Sequence, residues 1–144
     1  VNIGSESGMF GDPQYVAYAA AKGAVHAVTL SVVDSMAQVG ATANTFVPQA
    51  ATRMTASIPD DLLSDAGTDK WSLGGEYDPR NVTPAMVYLA SVRSGWLTGA
   101  TVGGWGFEVH RYTGPGRYRS AHSPGPWDVD ELFERLPEWF AAPA

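Results

Sequence analysis

The alternation of apolar and polar positions predicts strands and helices in turn, as in an α/β chain. Residues 1–4 and 41–47 are rich in apolar side chains and lie beside Gly or Pro, as expected of buried strands. Between them, residues 14–38 carry apolar side chains at helical spacing, and Gly40 follows as a natural residue after a helix C-terminus. A strand, a helix and a second strand in this order predict a parallel, right-handed crossover.

Two polar stretches predict loops. Residues 5–13 contain two glycines and a proline and are interpreted as a loop. Residues 49–80 are polar and rich in Asp, Ser and Gly, and irregular segments of this length are often lids or binding segments.

The rest of the chain predicts two more helices and a strand. Thr83 and Pro84 have the residue types of a helix N-cap and first position, so a helix is expected to begin there. Residues 98–103 predict the final strand, and Asp130 is expected to cap a short helix after a Gly- and Pro-rich loop.

Composition excludes several classes of protein. The 144 residues are 44% hydrophobic, which predicts an ordinary soluble domain. A net charge of −6 without a basic stripe disfavours a nucleic-acid partner, and no apolar run approaches the roughly 20 residues of a membrane span. The chain has no cysteine, which excludes disulfides and favours a cytoplasmic location. Its three histidines do not have the spacing of a metal site, so no metal is predicted and they are interpreted as structural or exposed.

Tyr18, Lys22 and Ser5 are the candidates for chemistry. Tyr18 and Lys22 lie four residues apart on the predicted helix and share a face, at the head of a stripe that is expected to be buried through Val25, Val32 and Met36. A cation beside a phenol favours the phenolate and lowers its pKa from about 10. With the Ser5 hydroxyl available to orient a substrate oxygen, the set suits proton transfer to or from an alcohol or carbonyl.

These residues allow two other interpretations. Tyr18 and Lys22 taken alone would suit an ordinary amphipathic helix with a buried tyrosine and a solvated lysine. A hydrolase with Ser5 as nucleophile is disfavoured, because Ser5-Glu6-Ser7-Gly8 is not a G-x-S-x-G elbow and no histidine has an evident pairing role.

The spacing of Ser5, Tyr18 and Lys22 resembles the active site of the short-chain dehydrogenase/reductase family. Residues 1–8 are similar to the strand and loop that carry its catalytic serine, and residues 43–48 contain the Asn-x-x-x-Pro pattern of its next strand. The resemblance covers residues 1 to about 105. It implies a Rossmann-like parallel sheet with flanking helices and NAD or NADP as cofactor.

One branch of the family is similar in more detail. Residues 48–55, Pro-Gln-Ala-Ala-Thr-Arg-Met-Thr, resemble the dehydrogenase part of peroxisomal multifunctional enzymes and their bacterial relatives, which oxidise 3-hydroxyacyl-CoA with NAD. The likeness implies a small-molecule substrate with a secondary alcohol or ketone, of the 3-hydroxyacyl-CoA, 3-oxoacyl or hydroxysteroid type. It also implies a homo-oligomer.

The resemblance implies a role for each matching residue. Tyr18 would exchange the proton, Lys22 would lower the tyrosine pKa and bind the nicotinamide ribose, and Ser5 would position the carbonyl. Further residues would line the two ligands: Pro48, Ala51 and Thr52 on the cofactor side, with Thr52 at the nicotinamide carboxamide, and Ser7 and Tyr15 on the substrate side. Gln49 stands where most relatives have glycine.

The family's nucleotide-binding turn has no counterpart in this sequence. No G-x-G-x-x-G pattern that opens a helix occurs, although the family fold uses one to hold the cofactor pyrophosphate. We therefore expect only the C-terminal half of the doubly wound fold, with residues 1–111 in the dehydrogenase domain and residues 112–144 as a C-terminal extension. The alternative hypothesis is a truncated fragment that is catalytically incompetent alone.

Overall fold

The structure, a computed structural model, describes residues 1–59, 69–114, 125–130 and 133–134. The chain divides into two units, Val1–Gly114 and Pro115–Ala144. All elements named below belong to the first unit. The helix predicted after Asp130 falls largely on residues outside the described ones.

Four strands form one sheet: β1 (Asn2–Ile3), β2 (Thr45–Gln49), β3 (Thr101–Trp105) and β4 (Glu108–Arg111). They lie side by side in that order, and β1, β2 and β3 are parallel. The predicted parallel pairing of the first two strands is therefore confirmed, although β2 begins at Thr45 rather than at residue 41.

The strand predicted as the last one is followed by another. β4 pairs antiparallel with β3, and Trp105 lies opposite Glu108, so only Gly106 and Phe107 form the turn. Gly106 has a φ of 51°, the left-handed conformation that a tight hairpin turn requires. The sheet is thus mixed, because a two-residue turn joins antiparallel neighbours without a crossover.

Three helices follow β1: α1 (Glu6–Phe10), α2 (Val16–Ser31) and α3 (Val33–Gln38). The loop prediction for residues 5–13 is wrong over α1, because the Ser5 side chain accepts a hydrogen bond from the backbone N–H of Ser7 and caps a short helix. The single helix predicted over residues 14–38 is divided at Val32. Gly40 ends this region with a φ of 71°, as predicted.

The helix between β2 and β3, α4 (Pro79–Leu89), begins earlier than predicted. Asp78 is its N-cap, and the Asp78 carboxylate accepts a hydrogen bond from a backbone N–H of the first turn. Pro79 occupies the first helical position, so Asp-Pro provides the start signal that was assigned to Thr83 and Pro84. Pro84 lies inside the helix instead. Of the residues described between β2 and α4, Thr55–Ser57 and Asp69–Trp71 form 3₁₀ turns.

The apolar core lies on the face of the sheet that α4 covers. It consists of one cluster of buried side chains from β2, β3, α4 and the segment between them: Phe46, Val82, Leu89, Leu97, Ala100 and Val102. Neighbouring strand residues point to opposite faces, so Thr45 faces α2, where its hydroxyl bonds to Thr29.

The face of α2 does not have the buried apolar stripe predicted for it. Thr29 is the buried residue of α2, whereas Tyr18 is 47% exposed and Lys22 and Val25 are half-buried. At Thr29, α2 meets the sheet through hydrogen bonds to Asn2 and Thr45. The predicted reactive pair is consequently open to solvent on its tyrosine side.

Candidate active site

Tyr18 and Lys22 lie on successive turns at the start of α2. The Lys22 ammonium nitrogen is 5.7 Å from the centre of the Tyr18 ring. The same nitrogen donates a hydrogen bond of 2.9 Å to the backbone oxygen of Ile3, the last residue of β1. Lys22 therefore connects the tyrosine to the carboxyl end of the sheet.

Ser5 lies two residues after β1, and hydrogen bonds to its side chain and to its backbone oxygen fix its position. Its hydroxyl oxygen accepts a hydrogen bond of 3.2 Å from the backbone N–H of Ser7, at the start of α1. Its backbone oxygen is 3.2 Å from Nε2 of His26. Sequence reasoning had assigned His26 no part in the site, although its place one turn after Lys22 puts it on the same helical face.

Gly8 allows α1 to lie directly against α2. A Cβ atom at Gly8 would overlap the backbone of Lys22 and Gly23. Ser5 is the N-cap of α1, so this close packing brings the serine and lysine elements together at the end of β1. The three predicted catalytic residues thus share one end of the sheet.

Of the predicted substrate residues, Ser7 lies in the first turn of α1, and Tyr15 ends the loop that joins α1 to α2. The Ser7 hydroxyl donates a hydrogen bond of 2.9 Å to Asp12, which lowers the pKa of the Asp12 carboxyl. Asp12 also accepts hydrogen bonds from the backbone N–H groups of Gln14 and Tyr15. These bonds shape the loop, while the Tyr15 side chain is 46% exposed.

The predicted cofactor residues Pro48, Ala51 and Thr52 lie at the carboxyl end of β2, beside that of β1. Pro48 and Thr52 are exposed, whereas Ala51 is buried and its N–H donates to the backbone oxygen of Tyr77 at 2.7 Å. The Thr52 backbone N–H donates to the hydroxyl of Thr55 at 2.6 Å. Carboxyl ends of adjacent parallel strands are where α/β folds bind ligands.

Asp78 fixes the segment that precedes α4. Its buried carboxylate accepts hydrogen bonds from Gly74 N–H at 2.6 Å and from the Arg80 guanidinium, with the closest pair of atoms at 2.6 Å. The Arg80 side chain, its backbone N–H and that of Gly74 hold the pKa of Asp78 well below its usual range. Tyr77, whose backbone oxygen accepts the hydrogen bond from Ala51, directly precedes Asp78 in the chain.

Within the described residues there is no group of three or more side chains suited to bind a metal ion. No helix in the same part of the chain is both long and apolar enough to cross a bilayer.

Comparison with known proteins decides the family. Residues 1–103 match the family model described as Enoyl-(Acyl carrier protein) reductase. This chain belongs to the short-chain dehydrogenase/reductase family. The resemblance inferred from Ser5, Tyr18 and Lys22 is confirmed.

One curated relative is hydroxyacyl-CoA dehydrogenase ChsB1 of Mycobacterium tuberculosis (strain ATCC 25618 / H37Rv). The chain is 31% identical to it over 142 residues, which cover 98% of this chain and 44% of the relative. This comparison confirms the predicted similarity to bacterial hydroxyacyl-CoA dehydrogenases. The chain spans less than half the length of this relative.

Two solved structures share the fold. A short chain dehydrogenase from Mycobacterium avium has a TM-score of 0.74 at 23% identity, covering 96% of this chain and 41% of the other. The full-length peroxisomal multifunctional enzyme type 2 from Drosophila melanogaster has a TM-score of 0.69 at 18% identity, covering 96% of this chain and 23% of the other. The predicted Rossmann-like α/β architecture is confirmed, as a small part of that fold.

Proposed function

We propose that this chain provides the catalytic half of an NAD(P)-dependent oxidoreductase that interconverts a secondary alcohol and a ketone. The proposal rests mainly on the position of Lys22. Its ammonium nitrogen lies 5.7 Å from the centre of the Tyr18 ring and donates a hydrogen bond to Ile3, the last residue of β1. This arrangement places a phenol, a cation and a hydroxyl near the carboxyl end of the parallel strands. Such a set suits proton transfer at an alcohol or carbonyl oxygen.

The described residues fit the nicotinamide end of a dinucleotide. An ammonium group has three N–H donors, and Ile3 accepts from one of them, so Lys22 has donors left for ribose hydroxyls. The exposed Thr52 segment lies at the neighbouring strand end, where the carboxamide would bind. The nicotinamide, when bound, supplies the hydride acceptor for oxidation or the hydride donor for reduction.

The protein's own residues handle the proton and the developing charge. In oxidation, the Tyr18 phenolate accepts the hydroxyl proton of the alcohol as its carbon loses hydride, and a ketone results. In reduction, the Tyr18 phenol returns that proton to the oxygen. Ser5 donates a hydrogen bond to the same oxygen, and the positive charge of Lys22 stabilises the phenolate.

The substrate proposed is a 3-hydroxyacyl-CoA or a related 3-oxoacyl or hydroxysteroid compound. The support is the relative's name together with its alignment to 98% of this chain.

We propose in addition that the whole protein is a cytoplasmic homo-oligomer. Val16, Val28 and Leu30 of α2 are more than half exposed and would be suited to contacts between subunits.

A second proposal concerns the 144 residues alone: they do not bind the dinucleotide tightly and do not turn over. Its support is the absence from the sequence of a glycine-rich turn that opens a helix. Titration of the isolated chain with NADH and NADPH tests it, with millimolar or undetectable binding expected. Micromolar binding would contradict this second proposal without affecting the first.

The role of Tyr18 is tested by Tyr18→Phe in the enzyme that contains this chain. Oxidation of 3-hydroxybutyryl-CoA with NAD or NADP is followed by the absorbance of the reduced nicotinamide. We expect kcat to fall by about 10²–10⁴, the usual contribution of a general acid or base. The melting temperature should not change, because the Tyr18 side chain is half exposed.

Tyr88→Phe is the matched control. Tyr88 lies on α4, where its hydroxyl binds Arg93 and Trp96. Its loss should leave kcat unchanged. Full turnover by the Tyr18→Phe enzyme would exclude Tyr18 as the acid and base.

A further inference from the structure

Tyr112 follows β4 directly, and its side chain contacts α1, the helix that Ser5 caps. Its hydroxyl donates a hydrogen bond of 2.8 Å to the Glu6 carboxylate, 106 residues away in the sequence. Its ring lies 6.2 Å from the ring of Phe10, centre to centre. Glu6 and Phe10 are the first and last residues of α1, so one side chain contacts both ends of this helix.

The Tyr112 phenol is suited to act as a permanent donor. Burial, and next the bond to Glu6, raise the pKa of Tyr112 above its ordinary value, so the hydroxyl keeps its proton. The His110 ring lies edge-on to the Tyr112 ring at 4.8 Å and restricts its orientation. A charged acceptor makes the bond to Glu6 stronger than a neutral pair would be.

The other side of α1 is held by α2. Gly8 lies directly against the Lys22 backbone, as described above. Glu6 and Phe10 share the face of α1 opposite to Gly8. A shift of α1 away from Tyr112 would therefore be a shift into the Lys22 backbone, and a shift away from Lys22 would be a shift into the Tyr112 side chain. Ser5 caps this helix and moves with it.

We propose that Tyr112 is a positioning residue that acts through Glu6 and α1 to hold the Ser5 hydroxyl in place for the reaction; this inference rests on the proposed role of Ser5. Catalysis by oriented groups is sensitive to displacements of less than an ångström, so a fixed α1 has a direct effect on turnover. Tyr112 lies beyond residues 1–103, which the family model matches, and it acts on the segment just after the serine.

The test is Tyr112→Phe in the full-length enzyme, because this change removes the hydroxyl and keeps the ring beside Phe10. We expect kcat to fall roughly tenfold with little change in KM, since orientation rather than substrate affinity is lost. Glu6→Gln keeps an acceptor for the Tyr112 hydroxyl and should retain most of the activity. Tyr88→Phe, which removes a hydroxyl on α4, should leave kcat unchanged.

A double variant with Ser5→Ala distinguishes a positioning role of Tyr112 from a general effect on stability. If Tyr112 acts through Ser5, then adding Tyr112→Phe to the Ser5→Ala enzyme should cause no further loss of kcat. Hydrogen exchange of the α1 amides should be faster in the Tyr112→Phe enzyme, and this readout does not depend on activity. Unchanged kcat in the single variant, or the same tenfold loss in the Ser5→Ala background, would overturn the inference.

Failure of the proposed function gives a different pattern. If Ser5→Ala and Tyr18→Phe both keep full activity, the catalytic assignment fails, and the positioning role fails with it. Faster exchange in α1 would then show only a structural contact. If both variants lose activity and Tyr112→Phe does not, the proposed function stands and only the positioning inference is rejected.

Discussion

The two faces of the sheet are built from different interactions. On the α4 face, buried apolar side chains form one cluster around Phe46. On the α2 face, Thr29 lies at the centre of a polar network: its hydroxyl oxygen accepts from Asn2 at 2.9 Å and from Thr45 at 2.9 Å, and its proton goes to the backbone oxygen of Val25 at 2.8 Å.

The two faces therefore contribute in different ways, one mainly to the free energy of folding and the other mainly to the positions of side chains. Apolar burial is non-directional and roughly proportional to the area removed from water, so the α4 face contributes free energy of folding without requiring one exact geometry. Hydrogen bonds contribute less net free energy but depend on distance and angle. The face that carries Tyr18 and Lys22 is therefore held at defined positions relative to β1 and β2.

The largest effect on stability is expected from Phe46→Ala. Phe46 is 1% exposed at the centre of the apolar cluster, and Phe→Ala in a core costs about 3–5 kcal/mol. Urea unfolding measures the loss of stability. Phe107→Ala is the control, because Phe107 is 80% exposed in the hairpin turn and should change stability by less than about 0.5 kcal/mol. Equal effects of the two changes would contradict the assignment of the core to the α4 face.

A smaller effect is expected from Thr29→Val on the opposite face. The change keeps the shape of the side chain but leaves the Asn2 amide and the Thr45 hydroxyl without their acceptor, which costs about 1–3 kcal/mol. The same unfolding experiment measures it. Thr83→Val, at an exposed hydroxyl that donates to Pro79, should be nearly neutral. A neutral Thr29→Val would show that the polar network does not hold α2.

The smallest effect concerns the acid dependence of stability at Asp78. Because the folded-state pKa of Asp78 is depressed, its stabilisation is complete above the unfolded value of about 3.9 and is lost as the pH falls through the folded value. Asp78→Asn keeps an N-cap residue but removes this titration, so its melting temperature should fall less steeply from pH 5 to pH 2 than that of the wild type.

Arg80→Met provides the second arm of the same experiment. Arg80 is the largest cause of the depressed pKa, so its removal should move the acid transition to higher pH. Parallel pH profiles for wild type and both variants would show that the bonds at Asp78 are not the source of the acid dependence.

Much of the fold could be predicted from local pattern. Two apolar segments around a long helical stretch indicated β1, α2 and β2, and Gly40 marked the end of the helical region. The spacing of Tyr18 and Lys22 indicated their common face, because helical periodicity depends only on positions along the chain. Ser5 could be added to them through the family pattern.

Errors arose where two signals of the same kind competed. Asp78-Pro79 and Thr83-Pro84 both have the residue types of a helix start, and the buried Asp78 carboxylate with its bonds to Gly74 and Arg80 favoured the first. Over residues 6–10, the serine cap outweighed the glycines that had suggested a loop.

Residue identity and spacing along the chain were enough to indicate the family, the common face of Tyr18 and Lys22, and the parallel crossover, because each depends on local periodicity or on a short motif. The polar contact of α2 at Thr29, the antiparallel β4 and the bond from Tyr112 to Glu6 could be seen in the folded chain alone. Their partners are distant in sequence, and hydrogen bonds between such residues form where packing brings them within reach, which no local pattern specifies.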